Sequence, residues 1–216
     1  MLAERRPYRR EAVDKRRQAL IAATLSLVSE GGARLATVRA IADRAGVTAG
    51  LIRHYFLSKD ALIAAAYRHL MERMTADSAA VLKAAPRDPH ARLAAFVAAS
   101  LRPPVVDPEG LVLWASFIQE TRRDATMLAT HTSTYLGFRD LLQELIAALP
   151  QPRDAGELRR LAIACNAVID GLWMEGSALP DAFAKGELVQ IGIRSISAML
   201  GVDLYPYLLL ADPPER

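Results

Sequence analysis

The sequence predicts an all-α protein, and three observations carry that prediction. Alanine, leucine and arginine recur along the whole chain, while β-branched clusters and Asn-Gly or Asp-Gly hairpin signals are nearly absent. Apolar residues repeat at helical rather than strand spacing. Proline-rich breaks then divide the chain into helix-sized pieces. Hydrophobic residues make up 52% and charged residues 24% of the 216 positions, ordinary globular values that leave enough apolar material for a core.

The first helix is marked by Leu20, Thr24, Leu27 and Val28, spaced i, i+4, i+7 and i+8, and Gly31-Gly32 ends it. Thr37 stands directly before Val38, Ile41, Ala42 and Ala45, as a hydroxyl cap before one buried stripe. Gly46 closes that second helix after about two turns. Thr48 is read as the cap of a third helix running through Phe56. Ser58 is read as the cap of a fourth, reaching to about Leu82, with Leu62 and Ile63 opening its apolar face. Loops follow at Pro86–Pro89, Arg102–Pro108, Pro150–Gly156 and Ala178–Asp181. Between them, helices are expected near 90–101, 109–121, 125–149, 156–177 and 185–200. This gives three segments: 1–57 as a basic arm with a helix-turn-helix, 58–204 as a larger helical domain, and 205–216 as a C-terminal tail.

Charge is unevenly placed. Residues 1–60 hold twelve Lys and Arg against six Asp and Glu, and the remainder fifteen against eighteen. A basic head on a mildly acidic body suits nucleic-acid binding by the head, although a merely solvated arm would look the same. Cys165 is the only cysteine, so no internal disulfide is possible. The N-terminal residues contain no apolar core of a signal peptide, and no uncharged stretch is long enough to cross a bilayer. A cytoplasmic protein without a membrane partner is expected.

Two short capped helices around an Ala45-Gly46-Val47 turn are the pattern of a helix-turn-helix, whose second helix reads DNA. At about 100° per residue, Ala49, Gly50, Arg53 and His54 share an arc of roughly 140°, and Leu51, Ile52, Tyr55 and Phe56 fill the rest. Small residues at the front of the arc permit close approach to a groove. Arg53 suits a guanine edge or a phosphate, and His54 either kind of acceptor. Thr37, Arg39, Thr48, Tyr55 and Lys59 complete the expected double-stranded-DNA contacts, with the helix N-terminus at Thr48 attracting a phosphate. The arm (Arg5, Arg6, Arg9, Arg10, Lys15, Arg16, Arg17) is placed to cover a neighbouring backbone or minor groove.

The ordered set Ile41-Ala42-Asp43-Arg44-Ala45-Gly46-Val47-Thr48, Gly50, Tyr55-Phe56 and Ser58-Lys59-Asp60-Ala61-Leu62 resembles the DNA-binding domain of TetR-family regulators over about a quarter of the chain. The common family ending of the reader is Tyr-Tyr-His-Phe. Arg53-His54-Tyr55-Phe56 departs from it and resembles the subgroup of the choline-responsive repressor. The resemblance implies a homodimeric repressor released from a palindromic operator by a small molecule, with dimerisation through the last two long helices. Leu158, Leu161, Cys165, Val168 and Leu172 form one candidate stripe there, and Val189, Ile193, Ile196 and Leu200 another. Either also reads as intramolecular core, and Ala162, Ala164, Ala167 and Gly171 would let helices approach closely.

For the inducer, Trp114, Phe117, Glu120, His131, Tyr135 and Trp173 are the candidate pocket residues, with Glu175 nearby in sequence. Aromatic faces beside a carboxylate suit an organic cation, with plain core packing as the alternative for each aromatic. The four histidines and one cysteine show no metal spacing, and the nucleotide, phosphate-loop and nucleophile motifs of enzymes are missing. Neither an enzyme nor a cofactor is expected. The rival reading is a helical interaction or scaffold protein that no longer binds specific DNA.

Overall fold

The structure is a computed structural model that describes the backbone from Arg5 to Ala211 and side chains from Val13 to Leu208. Among these residues the regular structure is helical throughout: α1 (Arg5–Gly31), α2 (Val38–Ala45), α3 (Ala49–Phe56), α4 (Lys59–Ala80), α5 (Pro89–Ser100), α6 (Pro108–Glu120), α7 (Ala125–Ala147), α8 (Ala155–Ala178), α9 (Glu187–Leu200) and α10 (Tyr205–Ala211). Short 3₁₀ turns at Val81–Lys83 and Pro180–Ala182 follow α4 and α8.

The loops start the helices that come after them. Asp88, Asp124 and Asp154 each accept, through a carboxylate oxygen, the backbone N–H three residues on, at 2.9, 2.8 and 2.7 Å. Asp107 does the same for Gly110 at 2.9 Å. Each carboxylate thus satisfies one of the amide donors that a helix start leaves over. At Asp154 the N–H of Glu157 also holds the carboxyl below its usual range.

Packing divides the chain into two compact units, Met1–Leu70 with Val112–Thr132, and Met71–Leu111 with Ser133–Arg216. The division of these packing units falls inside α4, α6 and α7. In the first unit the buried residues include Leu20, Leu27 and Val28 of α1, Ile41 of α2, Ile52 and Phe56 of α3, Leu62 and Tyr67 of α4, and Phe117 of α6. The arm's backbone is already helical from Arg5, while the side chains of Arg5, Arg6, Arg9 and Arg10 lie outside the described residues.

The second unit is built around α5. Every residue from Leu93 to Ser100 is buried, so this helix is enclosed on all sides. Leu142 and Ile146 of α7, Ala162, Cys165 and Ile169 of α8, and Ile193, Ile196 and Leu200 of α9 close over it. A side chain at Gly192 would collide with Leu101, which explains a glycine at that contact between α9 and the end of α5. The stripe Val189, Ile193, Ile196 and Leu200 is thereby core of its own unit, as is Cys165.

The segment expected as a tail carries α10 from Tyr205. Leu204 is fully buried, and Tyr207 stacks on His90 at the start of α5, with ring centroids 5.3 Å apart. Pro206 hid this helix in the sequence, although proline is tolerated in a first turn where its missing N–H would have no partner.

Candidate DNA-reading face and ligand-side residues

The reader begins with the turn that aims it. Thr37 Oγ1 accepts the Ala40 N–H at 3.1 Å and starts α2. Gly46 takes the left-handed conformation, φ 64°, which lets the Val47 N–H return to the Ala42 carbonyl at 3.0 Å and stop the helix. A bidentate pair fastens α2 to α1, with Arg44 donating to Glu30 Oε1 at 2.6 Å and Oε2 at 2.9 Å and to Ser26 Oγ at 2.5 Å. Those bonds hold the Glu30 carboxyl below its ordinary value and raise the Arg44 guanidinium.

Ile52 and Phe56 of α3 point into the unit, while Ala49, Gly50, Arg53 and His54 are exposed. Tyr55 is half-buried, with its ring edge-on to His54 at 5.0 Å. A Cβ added at Gly50 would meet nothing within 4 Å, so the space in front of it is open. Arg17, expected in a DNA-contacting arm, instead lies over the Phe56 ring at 4.9 Å and ties α1 to the end of the reader. Arg39 is exposed, 3.8 Å from Asp43.

Two of the expected contacts have settings that the sequence did not show. Thr48 has the extended backbone of a cap (φ −79°, ψ 148°), but its hydroxyl makes no capping hydrogen bond; only its carbonyl receives the Leu51 N–H, at 3.0 Å. Lys59 is half-buried in a cleft of about 80 Å³ that Asp60, Glu120 and Asp124 also line. Glu120 lines the same cleft.

The other ligand-side candidates fall into separate groups. In the first unit, the buried Tyr67 ring stacks on Phe117 at 5.0 Å and lies parallel to the His131 ring at 6.1 Å. Its phenol shares a 2.7 Å hydrogen bond with His131 Nδ1, and burial pushes its pKa upward. Trp114 is half-buried in the same unit. In the second unit, Trp173 donates its indole N–H to the Val105 carbonyl at 2.9 Å, which commits its polar edge to holding the loop before α6. The Asp107 N–H bonds Ser177 Oγ at 3.1 Å beside it.

Tyr135, also in the second unit, donates to Asp170 Oδ2 at 2.6 Å. Asn166 Nδ2 donates to Tyr135 Oη at 2.7 Å and to Asp170 Oδ2 at 2.8 Å. Burial, then Asp170, pushes the Tyr135 phenol up to about 12. Burial likewise pushes the Cys165 thiol up to about 11, so the chain's one cysteine is an unreactive core group. Among the described residues no three His, Cys, Asp or Glu side chains are grouped to hold a metal ion. No helix among them is long and apolar enough to cross a membrane.

Comparison with known proteins completes the assignment. Residues 20–66 match the family described as bacterial regulatory proteins, tetR family, and residues 89–201 match the BetI-type transcriptional repressor C-terminal domain. The HTH-type transcriptional regulator BetI of Burkholderia thailandensis is 34% identical over 186 residues, 86% of this chain and 93% of that protein. The chain belongs to the TetR family. A structure from Pseudomonas aeruginosa PAO1 described as a transcriptional regulator superposes with a TM-score of 0.80 at 30% identity, covering 90% of this chain and 94% of the other. A regulator from Saccharomonospora viridis, solved in complex with choline, shares the fold at 18% identity and a TM-score of 0.68, with 85% and 96% covered. As a TetR-family member with a BetI-type C-terminal domain, the chain is a ligand-responsive, DNA-binding transcriptional repressor.

Within this TetR-family chain, sequence reading left several structural residues unnoticed. The Glu30–Arg44 pair and the Arg17–Phe56 contact join segments far apart in sequence and carry no local signal. Asn166 did carry one: an amide amid the apolar run from Leu161 to Ile169 is a buried polar group needing partners. Leu57 is another. It sits at the end of the reader with φ 66° and 83% exposed, an unusual conformation and setting for a leucine.

Proposed function

We propose that this repressor acts as a twofold dimer whose α3 helices enter successive major grooves of a palindromic operator, and that an organic cation releases it. The observation that carries the reading half is the exposure pattern of α3. Its apolar side is buried at Ile52 and Phe56, and Ala49, Gly50, Arg53 and His54 are left facing outward. In this reading Gly50 and Ala49 let the backbone approach the groove, Arg53 and His54 face base edges, and Thr37, Arg39, Thr48 and Tyr55 hold phosphates. Lys59, at the start of α4, adds charge beside them.

The dimer reading draws on a different face of α8 from the one that the sequence suggested. Ile163, Ala167, Gly171 and Met174 lie within an arc of about 80° and are all exposed, with Ile191 and Ala198 exposed on neighbouring α9. Small residues at 167 and 171 permit the close crossing of two copies of α8 about a twofold axis. Ligand binding would then favour a dimer with its readers wrongly spaced, and DNA would weaken ligand affinity by the same factor. Helix α4 starts next to the reader and ends in the second unit, so it is the natural lever.

The cation reading is supported by the choline-bound neighbour and, within the first unit, by the aromatic faces of Trp114, Phe117 and His131; Tyr135 is the candidate of the second unit. Trp173 has the structural task described above. Selecting bound sequences from random DNA, then titrating the selected operator at several salt concentrations with and without choline, tests the whole proposal. Steep salt dependence, a palindromic consensus and release by choline are expected. Binding without sequence preference would overturn it. Arg53→Ala separates the roles of that side chain: relaxed preference at one position means base reading, and uniform weakening means phosphate contact.

A further inference from the structure

We infer that the joint between α8 and α9 carries a second ligand site, one that takes an organic acid with an apolar body. It goes beyond the cation reading and does not rest on it. A cavity of about 590 Å³ lies there, inside the second unit. That size is within the range of about 300–1,000 Å³ that small-molecule sites occupy. Its walls are the loop after α5, the end of α8, the start of α9, and Tyr205 and Leu208 of α10.

Local sequence builds this space and fixes its walls. Gly176 lacks the side chain that would collide with Leu188 and crowd Val106, so α9 and the loop after α5 both come up against α8. The loop is tied to α8 at two points, by the Trp173 indole on the Val105 carbonyl at 2.9 Å and by the Asp107 N–H on Ser177 Oγ at 3.1 Å. The start of α10 is tied to α9 where the Leu204 N–H donates to Ser197 Oγ at 3.1 Å. A ligand entering such walls has little ordering to impose.

The lining is apolar, with charge of one sign. Leu101, Val106, Phe183, Leu188, Val189 and Leu208 supply hydrocarbon surface. Among the described residues that line the cavity, the charged ones are Arg102 and Lys185, and no Asp or Glu joins them. Two acids close in sequence serve the backbone instead: Asp107 accepts the Gly110 N–H at 2.9 Å, and Glu187 accepts the Ala184 N–H at 2.8 Å. Arg102 donates its Nε–H to the Ala98 carbonyl at 3.1 Å, which fixes the stem of that side chain, and Lys185 is exposed. A hydrocarbon body finds apolar wall here and a carboxylate finds positive charge, whereas a cation meets charge of its own sign. The class selected is a monocarboxylate with an apolar chain or ring.

Octanoate, 1-octanol and acetate separate the two halves of that chemistry. Calorimetric titration of the full-length protein is expected to show octanoate about tenfold tighter than 1-octanol, the scale of one charge-assisted hydrogen bond. Acetate, which brings no apolar body, should bind at least about tenfold more weakly than octanoate. Lys185→Glu, at an exposed loop position, should narrow the margin of octanoate over 1-octanol by about threefold or more in low salt. Binding of 1-octanol or of acetate as tight as that of octanoate overturns the assigned class. A margin unchanged by Lys185→Glu puts the acid elsewhere and overturns the site, as does no binding of octanoate at all. Choline enters none of these titrations, so the cation reading stands or falls separately. The comparison of the three compounds needs no variant to fold.

Discussion

The two units of this protein handle polar groups in opposite ways. On the reader, the polar side chains assigned to function stand in water: Arg53 and His54 are exposed, and eight consecutive residues supply the whole face. In the second unit, Tyr135, Asn166 and Asp170 come from two helices and bond one another, with Asn166 buried and the other two half-buried. A displayed group is free to meet DNA and contributes little to stability. An enclosed group must be satisfied within the fold or by a ligand, so it bears on both. The difference predicts that function and stability separate cleanly by mutation in the first unit and stay coupled in the second.

The sharpest break in that comparison is Asp170→Ala. It removes the acceptor that both Tyr135 and Asn166 use, and should lower unfolding free energy by about 2–3 kcal/mol. Urea denaturation followed by circular dichroism measures it. In the same assay Arg53→Ala is expected to stay within about 0.5 kcal/mol of the parent, because nothing is buried or stranded by its loss. A variant at 170 as stable as the parent would show that the cluster carries no internal constraint.

That contrast also explains what was legible in the sequence. The reader could be found because Thr37, Gly46 and the Ile52–Phe56 spacing are local: caps, turn and helical arc lie within about twenty residues. Helices α5 to α8 could be placed because prolines and aspartates mark their starts. The ligand side could not be assembled, since contacts such as Tyr135 with Asn166 and Trp173 with Val105 depend on how helices pack. The proposed dimer face shifted from the expected stripe for a related reason. Leu158–Cys165–Leu172 and Ile163–Ala167–Gly171 are both apolar stripes on α8, and only packing against α5 decides which one is already covered.

For DNA affinity, Arg53→Ala is expected to cost about 1–3 kcal/mol, roughly ten- to a hundredfold, by fluorescence anisotropy on the selected operator. Gly50→Leu sharpens the same point from the steric side. It fills open space, leaves thermal stability equal or slightly higher, and should still weaken operator binding by blocking close approach. Loss of stability in either variant would show that the reader face is less separable than its exposure implies.

A smaller effect is expected at Leu57. Its positive φ puts a branched side chain in a conformation costing about 1–3 kcal/mol, and the side chain is 83% exposed, so little burial offsets that cost. Leu57→Gly relieves the strain but adds backbone freedom to the unfolded chain, for a net gain of about 1 kcal/mol. A raised melting temperature checks it. An unchanged or lowered value would mean that Leu57 meets something outside this chain.

The smallest effect tests whether the reader unit has any electrostatic constraint of its own. The Arg44 hydrogen bonds hold the Glu30 carboxyl below its ordinary value of 4.5, so the folded state binds this proton less readily than the unfolded chain. The stabilisation that follows is complete above pH 4.5 and is lost as pH falls through the lower folded value. Because both side chains are about half exposed, it is a modest contribution that salt screens. Glu30→Gln should therefore melt slightly below the parent at pH 7 in low salt, and the two curves should converge as the pH drops below 4.5. A gap that persists in acid would assign the effect to the Ser26 and Arg44 geometry rather than to charge. In that case the first unit, too, depends on a polar arrangement whose loss the fold registers.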